Sequence, residues 1–155
     1  MAGAFDAKLE ELGITLPDAA APAANYVPYV LAGDLLHVSG QLPKAEDGTL
    51  ITGTLGAGLT IEDGQRAAEL CAIHLLAQVK AACDGDLDRL VRIVKLGAFV
   101  NSTPEFIDQP QVVNGASNLL VEILGDTGQH ARSAVASPSL PFGVAVEIDG
   151  VFQIK

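Results

Sequence analysis

Arg132 and Glu147 are the residues whose type and setting point most directly to chemistry. Arg132 opens an otherwise apolar segment, and apart from Lys155 it is the only cation after Lys95. A lone Arg in a cation-poor stretch often has a specific anionic partner, because its planar fork takes a carboxylate bidentately and Lys does not reproduce that geometry. Glu147 is flanked by Val144, Val146 and Ile148. The plain alternative for it is an exposed carboxylate on a strand edge.

Other candidates carry less. His37 and His74 sit in no Cys/His spacing suited to zinc, and neither HExxH nor CxxC occurs, so no metal site is expected. His74 reads as a satisfied core residue of a helix and His130 as a surface loop residue. Gly53, Gly56 and Gly58 are followed by no Lys-Ser or Lys-Thr, so they mark a plain loop and not a phosphate cradle. Cys71 has no base assigned to it and no Gly-x-Ser-x-Gly is present, which leaves covalent nucleophilic catalysis without support.

The whole chain bounds these readings. Its 155 residues hold 19 Asp plus Glu against 9 Lys plus Arg, a net charge of −10, with 49% apolar residues. A single domain over 1–155 is expected, with 1–20 as an accessory helix and lead-in, burying roughly 68–70% of its unfolded surface. The acidity opposes general nucleic-acid binding, which rests on Lys and Arg displacing counterions, and it opposes binding to an anionic membrane. Two cysteines cannot form a disulfide framework, and there is neither a basic leader nor an apolar run of 18 residues. A cytoplasmic protein is the expectation.

The elements that must position Arg132 and Glu147 follow from pattern. Phe5, Leu9 and Leu12 predict a short helix, and 25–31 and 35–39 predict a hairpin turning at 32–34. Thr60 and Asp63 have capping-box spacing ahead of a long helix ending near Cys83–Gly85. Leu87–Leu90 predicts a further helical turn, and 91–100 a strand central in its sheet. Thr103-Pro104-Glu105 reads as a helix start, and Pro110 opens a second long helix stopped at Gly125. Ala131–Ser137 and 144–154 are strands, the first broken by Pro138 and Pro141. The predicted fold is α+β, a mixed sheet with two helices packed on one face. The strands at 91–100 and 144–154 are apolar on both faces, so the uncovered face is expected to be buried in an oligomer.

Four stretches, in order over about residues 20–155, resemble the Rid proteins, the reactive intermediate deaminases also called YjgF-type or L-PSP endoribonuclease-like. They are Pro28-Tyr29-Val30 leading to Val38-Ser39-Gly40-Gln41-Leu42-Pro43; Leu87 through Ile93-Val94-Lys95 to Phe99-Val100 and Phe106; Val113-Asn114; and Ala131-Arg132-Ser133-Ala134-Val135 with Leu140-Pro141 and Val144-Ala145-Val146-Glu147-Ile148. The resemblance departs at Ala134, where the core family usually has Cys, and at Ala136-Ser137-Pro138-Ser139. The N-terminal helix and the longer 44–59 loop are extra, which marks a divergent subgroup.

The resemblance implies a chorismate-mutase-like fold, a homotrimer with sheets facing inward and ligand clefts between subunits. It implies hydrolysis of a 2-imino acid such as 2-iminobutanoate, or its enamine, to a 2-keto acid and ammonia. No cofactor or metal is implied. Arg132 would clamp the substrate carboxylate, Glu147 would position or activate water, Tyr29, Ser39, Gly40 and Asn114 would line the pocket, and the Ala134 backbone would meet the nitrogen end. An iminium carbon is already electrophilic, so oriented water and a proton shuttle suffice. The −10 charge repels an anion at long range, but at a Debye length of about 8 Å the nearby Arg dominates. Two alternatives stay open: a non-catalytic small-carboxylate binder or sensor in the same clefts, and, disfavoured by the acidity, an endoribonuclease.

Overall fold

The computed structural model describes residues 2–22 and 24–155. α1 (Ala4–Glu11) is followed by the predicted hairpin of β1 (Tyr29–Ala32) and β2 (Leu35–Gln41). The hairpin turns at Gly33, whose φ of 65° is left-handed and unstrained for glycine. The glycine-rich stretch read as a plain loop holds two short parallel strands, β3 (Thr54–Leu55) and β4 (Gly58–Leu59).

α2 (Ile61–Ala82) starts on the predicted capping box. The Thr60 hydroxyl accepts from the Asp63 amide at 3.1 Å, and the Asp63 carboxylate accepts from the Thr60 amide at 3.0 Å. A 3-10 turn at Leu87–Arg89 leads into β5 (Leu90–Asn101). No helix starts at Thr103-Pro104-Glu105: the amide of Phe106 closes a turn on the Thr103 carbonyl. α3 (Gln109–Leu124) begins after it, with Pro110 in the first turn, where its missing N–H costs nothing. β6 (Ala131–Ser137) and β7 (Val146–Ile154) complete the chain.

The five long strands form one mixed sheet in the order β1-β2-β7-β5-β6, antiparallel except for the parallel β5–β6 pair. β7 is the centre, and β5 lies between it and the edge strand β6. α2 packs over β7 and β2, and α3 over β5 and β6, so the two long helices cover one face as expected. Leu36, Ile93, Leu96, Ile148 and Phe152 are fully buried beneath Leu75, Leu76 and Leu120. The helices approach until a Cβ at Gly115 would collide with the Gln65 backbone.

α1 is tied on by charge as well as by buried Leu9. Lys80 Nζ meets Asp6 at 2.8 Å, and the Asp88 carboxylate accepts the otherwise unpaired amides of Ala4 and Phe5 at 2.8 and 3.1 Å. Among the described residues no helix is long and apolar enough to cross a membrane.

Strict alternation fails in β5 for a visible reason. Register shifts against β7 between Leu90 and Arg92, and again between Ile93 and Lys95, insert an extra residue each time. Val91 and Val94 therefore turn outward while Leu90, Ile93 and Leu96 all reach the core. The face away from the helices is mixed: β7 presents Glu147, Asp149, Val151 and Gln153, with Phe99 and Val135 exposed beside them.

Candidate functional site

Arg132 pairs with Leu96 in the β5–β6 register and so lies on the helix-covered face. Its guanidinium reaches α3: Nη1 donates to Ser117 Oγ at 3.0 Å, and Nη2 to the Pro110 carbonyl at 3.2 Å. Both acceptors are uncharged. Among the described residues no carboxylate forms an ion pair with Arg132, nor with Lys44, Arg92, Lys95 or Lys155, whereas Lys8, Arg66, Lys80 and Arg89 each have one. Its charge is therefore aimed but not neutralised, a setting suited to an anion from outside. Asn114 stands on α3 one turn beyond Pro110 and one turn before Ser117, on the flank that Arg132 crosses. Ala134 follows two residues along β6 on the same face, packed against the core.

Glu147 belongs to a second group. It pairs with exposed Phe99 and points to the open face, half-buried beside Gly40. A Cβ at Gly40 would collide with the Glu147 carboxylate, so the glycine makes room for it. Burial, reinforced by the Asp149 carboxylate two residues on, raises the Glu147 carboxyl above its usual range. Asp149 is likewise raised by burial, against the opposing pull of the Gly97 amide and Lys95. A carboxyl so tuned exchanges protons nearer neutrality than an exposed one.

Ser39 precedes Gly40 on β2 and donates its hydroxyl to the Val27 carbonyl at 2.9 Å. Tyr29 pairs with Val38 on the edge strand β1 and packs against the core. Tyr29, His37, Ser39, Gly40 and Asp149 line an open groove of about 430 Å³, and Ser39 and Gly40 also border a pocket of about 280 Å³ with Tyr26, Lys44 and His74. Arg132 and Glu147 line neither.

The structure thus divides the expected site residues in two. Tyr29, Ser39, Gly40 and Glu147 gather on β1, β2 and β7; Asn114, Arg132 and Ala134 gather on α3 and β6. From strand spacing and register, the Cα atoms of Arg132 and Glu147 are roughly 14 Å apart, with side chains on opposite faces. One chain alone does not bring both to one small molecule.

Two residues of the Arg132 group have no motif signal. Ser117 is an unremarked helix residue, and His130, expected on a surface loop, is instead half-buried beside it. His130 Nε2 meets Ser117 Oγ at 2.9 Å and Nδ1 meets the Gly128 carbonyl at 2.6 Å. The only hint in sequence is that His130 lies two positions before Arg132. His74 is a satisfied core residue as expected, with Nε2 at 2.9 Å from the Lys44 carbonyl. Cys71 is buried, its Sγ 3.6 Å from the Val146 carbonyl, and burial pushes its thiol well above the usual range, which leaves it inert.

A family model described as "YjgF/chorismate_mutase-like, putative endoribonuclease" matches residues 6–149, a span that begins inside α1. Protein TCP17 of Trypanosoma cruzi is 53% identical over 154 residues, covering 99% of this chain and 96% of its own. The crystal structure of Atu1372 from Agrobacterium tumefaciens superposes with a TM-score of 0.90 at 50% identity, covering 98% of this chain and 94% of that one. RidA from the Antarctic bacterium Psychrobacter sp. PAMC 21119 gives a TM-score of 0.62 at 25% identity over 88% of this chain and 94% of its own, a more distant likeness that fits a divergent subgroup. The chain belongs to the YjgF/chorismate-mutase-like, or Rid, family.

Proposed function

We propose that the protein hydrolyses small 2-imino acids, or their enamine tautomers, to 2-keto acids and ammonia. The observation that carries the reading is the un-neutralised Arg132 fork, held by two neutral acceptors at the edge strand, supported by a half-buried Glu147 carboxyl that burial raises above its usual range. In this reading two copies complete one site. The β6–α3 edge of one subunit supplies Arg132, Asn114 and Ala134, and the open sheet face of another supplies Glu147, Gly40 and Ser39, with Tyr29 on the neighbouring edge strand β1. A homotrimer with sheets inward satisfies that geometry and buries the exposed Phe99 and Val135.

The chemistry needs little more. Arg132 holds the carboxylate by charge-assisted hydrogen bonds, worth roughly 1.5–3 kcal/mol each, and so fixes the adjacent imine carbon. The substrate reacts as its iminium ion: Glu147 takes a proton from water as the oxygen adds to that carbon, leaving a neutral carbinolamine, and passes the proton to the amino group, which becomes an ammonium leaving group. The C–N bond then breaks, the hydroxyl proton returns to Glu147, and 2-keto acid and ammonia leave. Releasing that proton to the departing ammonia, which leaves as ammonium, returns Glu147 to the carboxylate with which the cycle began. The raised carboxyl serves both directions of transfer.

The test is to generate 2-iminobutanoate in situ and follow keto-acid release with wild type and Arg132→Ala. Release above buffer with wild type, cut at least tenfold in the variant, is the expected result. Equal rates, or none above buffer, would overturn the reading. Arg132-dependent thermal stabilisation by keto acids without turnover would identify a binder instead.

A further inference from the structure

Arg132, Ser117 and His130 form one directed hydrogen-bond chain, and its direction is set at the far end. The Gly128 carbonyl can only accept, so the 2.6 Å contact requires the proton on His130 Nδ1. A neutral ring then offers a bare Nε2, which can only accept, so the Ser117 hydroxyl donates to it across 2.9 Å. With its one proton spent, Ser117 Oγ turns a lone pair to Arg132 Nη1 at 3.0 Å. With the ring neutral, each donor and acceptor is used in the only sense available.

We propose that His130 is a positioning residue for anion recognition: through Ser117 it fixes the Arg132 guanidinium in the orientation that receives a carboxylate. The proposal rests on the reading of Arg132 as the carboxylate clamp and adds a residue to it. Without His130, a serine inside a helix turns its hydroxyl back to the carbonyl four residues earlier, here that of Val113. The oxygen's lone pairs are then no longer aimed at Arg132 Nη1, and Pro110 alone orients the guanidinium. Burial, joined by the charge of Arg132 and opposed by the bond to Gly128, lowers the His130 pKa, which keeps the ring neutral as the chain requires.

The probe is 2-oxobutanoate binding, with KM and kcat for 2-iminobutanoate measured in parallel. His130→Leu and Ser117→Ala are each expected to weaken 2-oxobutanoate binding about tenfold and to raise KM with kcat little changed, as loss of one hydrogen bond to a charged group implies. The double variant should be no worse than either single one, because both cut one chain. His130→Gln, whose side-chain oxygen can take the place of Nε2, should restore binding to within about threefold of wild type by supplying the same acceptor.

A nitrogen-15 NMR spectrum of the wild-type ring should show Nδ1 protonated and Nε2 bare at neutral pH, a readout independent of how the variants fold. The opposite tautomer, a doubly protonated ring, or His130→Leu binding like wild type while Arg132→Ala does not bind would overturn the positioning role. Undiminished binding by Arg132→Ala would instead overturn the clamp itself.

Discussion

Arg132 and Glu147 stand on opposite faces of one sheet, two strands apart: Arg132 shares the side of buried Leu96, Glu147 the side of exposed Phe99. In the proposed function this relationship leaves the single subunit an incomplete site and gives the open face a chemical reason to meet a second copy. It also separates the proposed clamp from the proposed proton carrier, so each can be probed alone.

Gly40 is the first probe. It has an ordinary backbone conformation, so replacing it strains no turn, yet a Cβ there meets the Glu147 carboxylate. Gly40→Ala should displace that carboxylate, and misplacement by about 1 Å costs on the order of a hundredfold in rate. Steady-state kinetics should show kcat falling while Arg132-dependent binding of 2-oxobutanoate persists. Unchanged kcat would detach Glu147 from the chemistry.

The pH profile gives a second. Asp149 adds to burial in raising Glu147, so kcat/KM should lose activity on the acid side at a higher pH than an ordinary glutamate would dictate. Removing the Asp149 charge relieves part of that rise, and Asp149→Asn should move the acid limb to lower pH. A limb that stays in place, or moves up, would show that another group controls it.

Stability gives a third, with opposite sign to function. Glu147 binds its proton more tightly folded than unfolded, so its contribution is fully present below the unfolded pKa and lost as pH rises through the folded one. At neutral pH the ionised side chain therefore opposes folding. Glu147→Gln should melt higher than wild type at neutral pH while losing turnover, and the gap should close as pH falls below the usual glutamate range. Thermal melts across pH check this; a lower melting temperature at neutral pH would contradict it.

Much of this frame was legible in sequence because local chemistry wrote it. The Thr60–Asp63 box starts α2 and Pro110 sits in the first turn of α3. β6 spans Ala131–Ser137 as its composition predicts, with Pro138 ending it. What sequence could not carry is register. Alternation marks Arg132 and Glu147 as strand residues, but which face each takes depends on how β5 pairs with both neighbours, and its two bulges are invisible in a one-dimensional pattern. Thr103-Pro104-Glu105 misled because helix-start chemistry was present without the apolar stripe that would bury a helix. His130 was missed because its partners, Ser117 and the Gly128 carbonyl, are brought to it by the fold.

The central claim, a site shared between two copies, is tested most directly by subunit complementation. Arg132→Ala and Glu147→Gln each damage a different half of every site, so both should be inactive alone. Mixed at equal amounts and reassembled, random pairing leaves about a quarter of the sites with both residues intact. A shared site requires keto-acid release to return to about that fraction of the wild-type rate. Mixed oligomers that form and stay silent would contradict it.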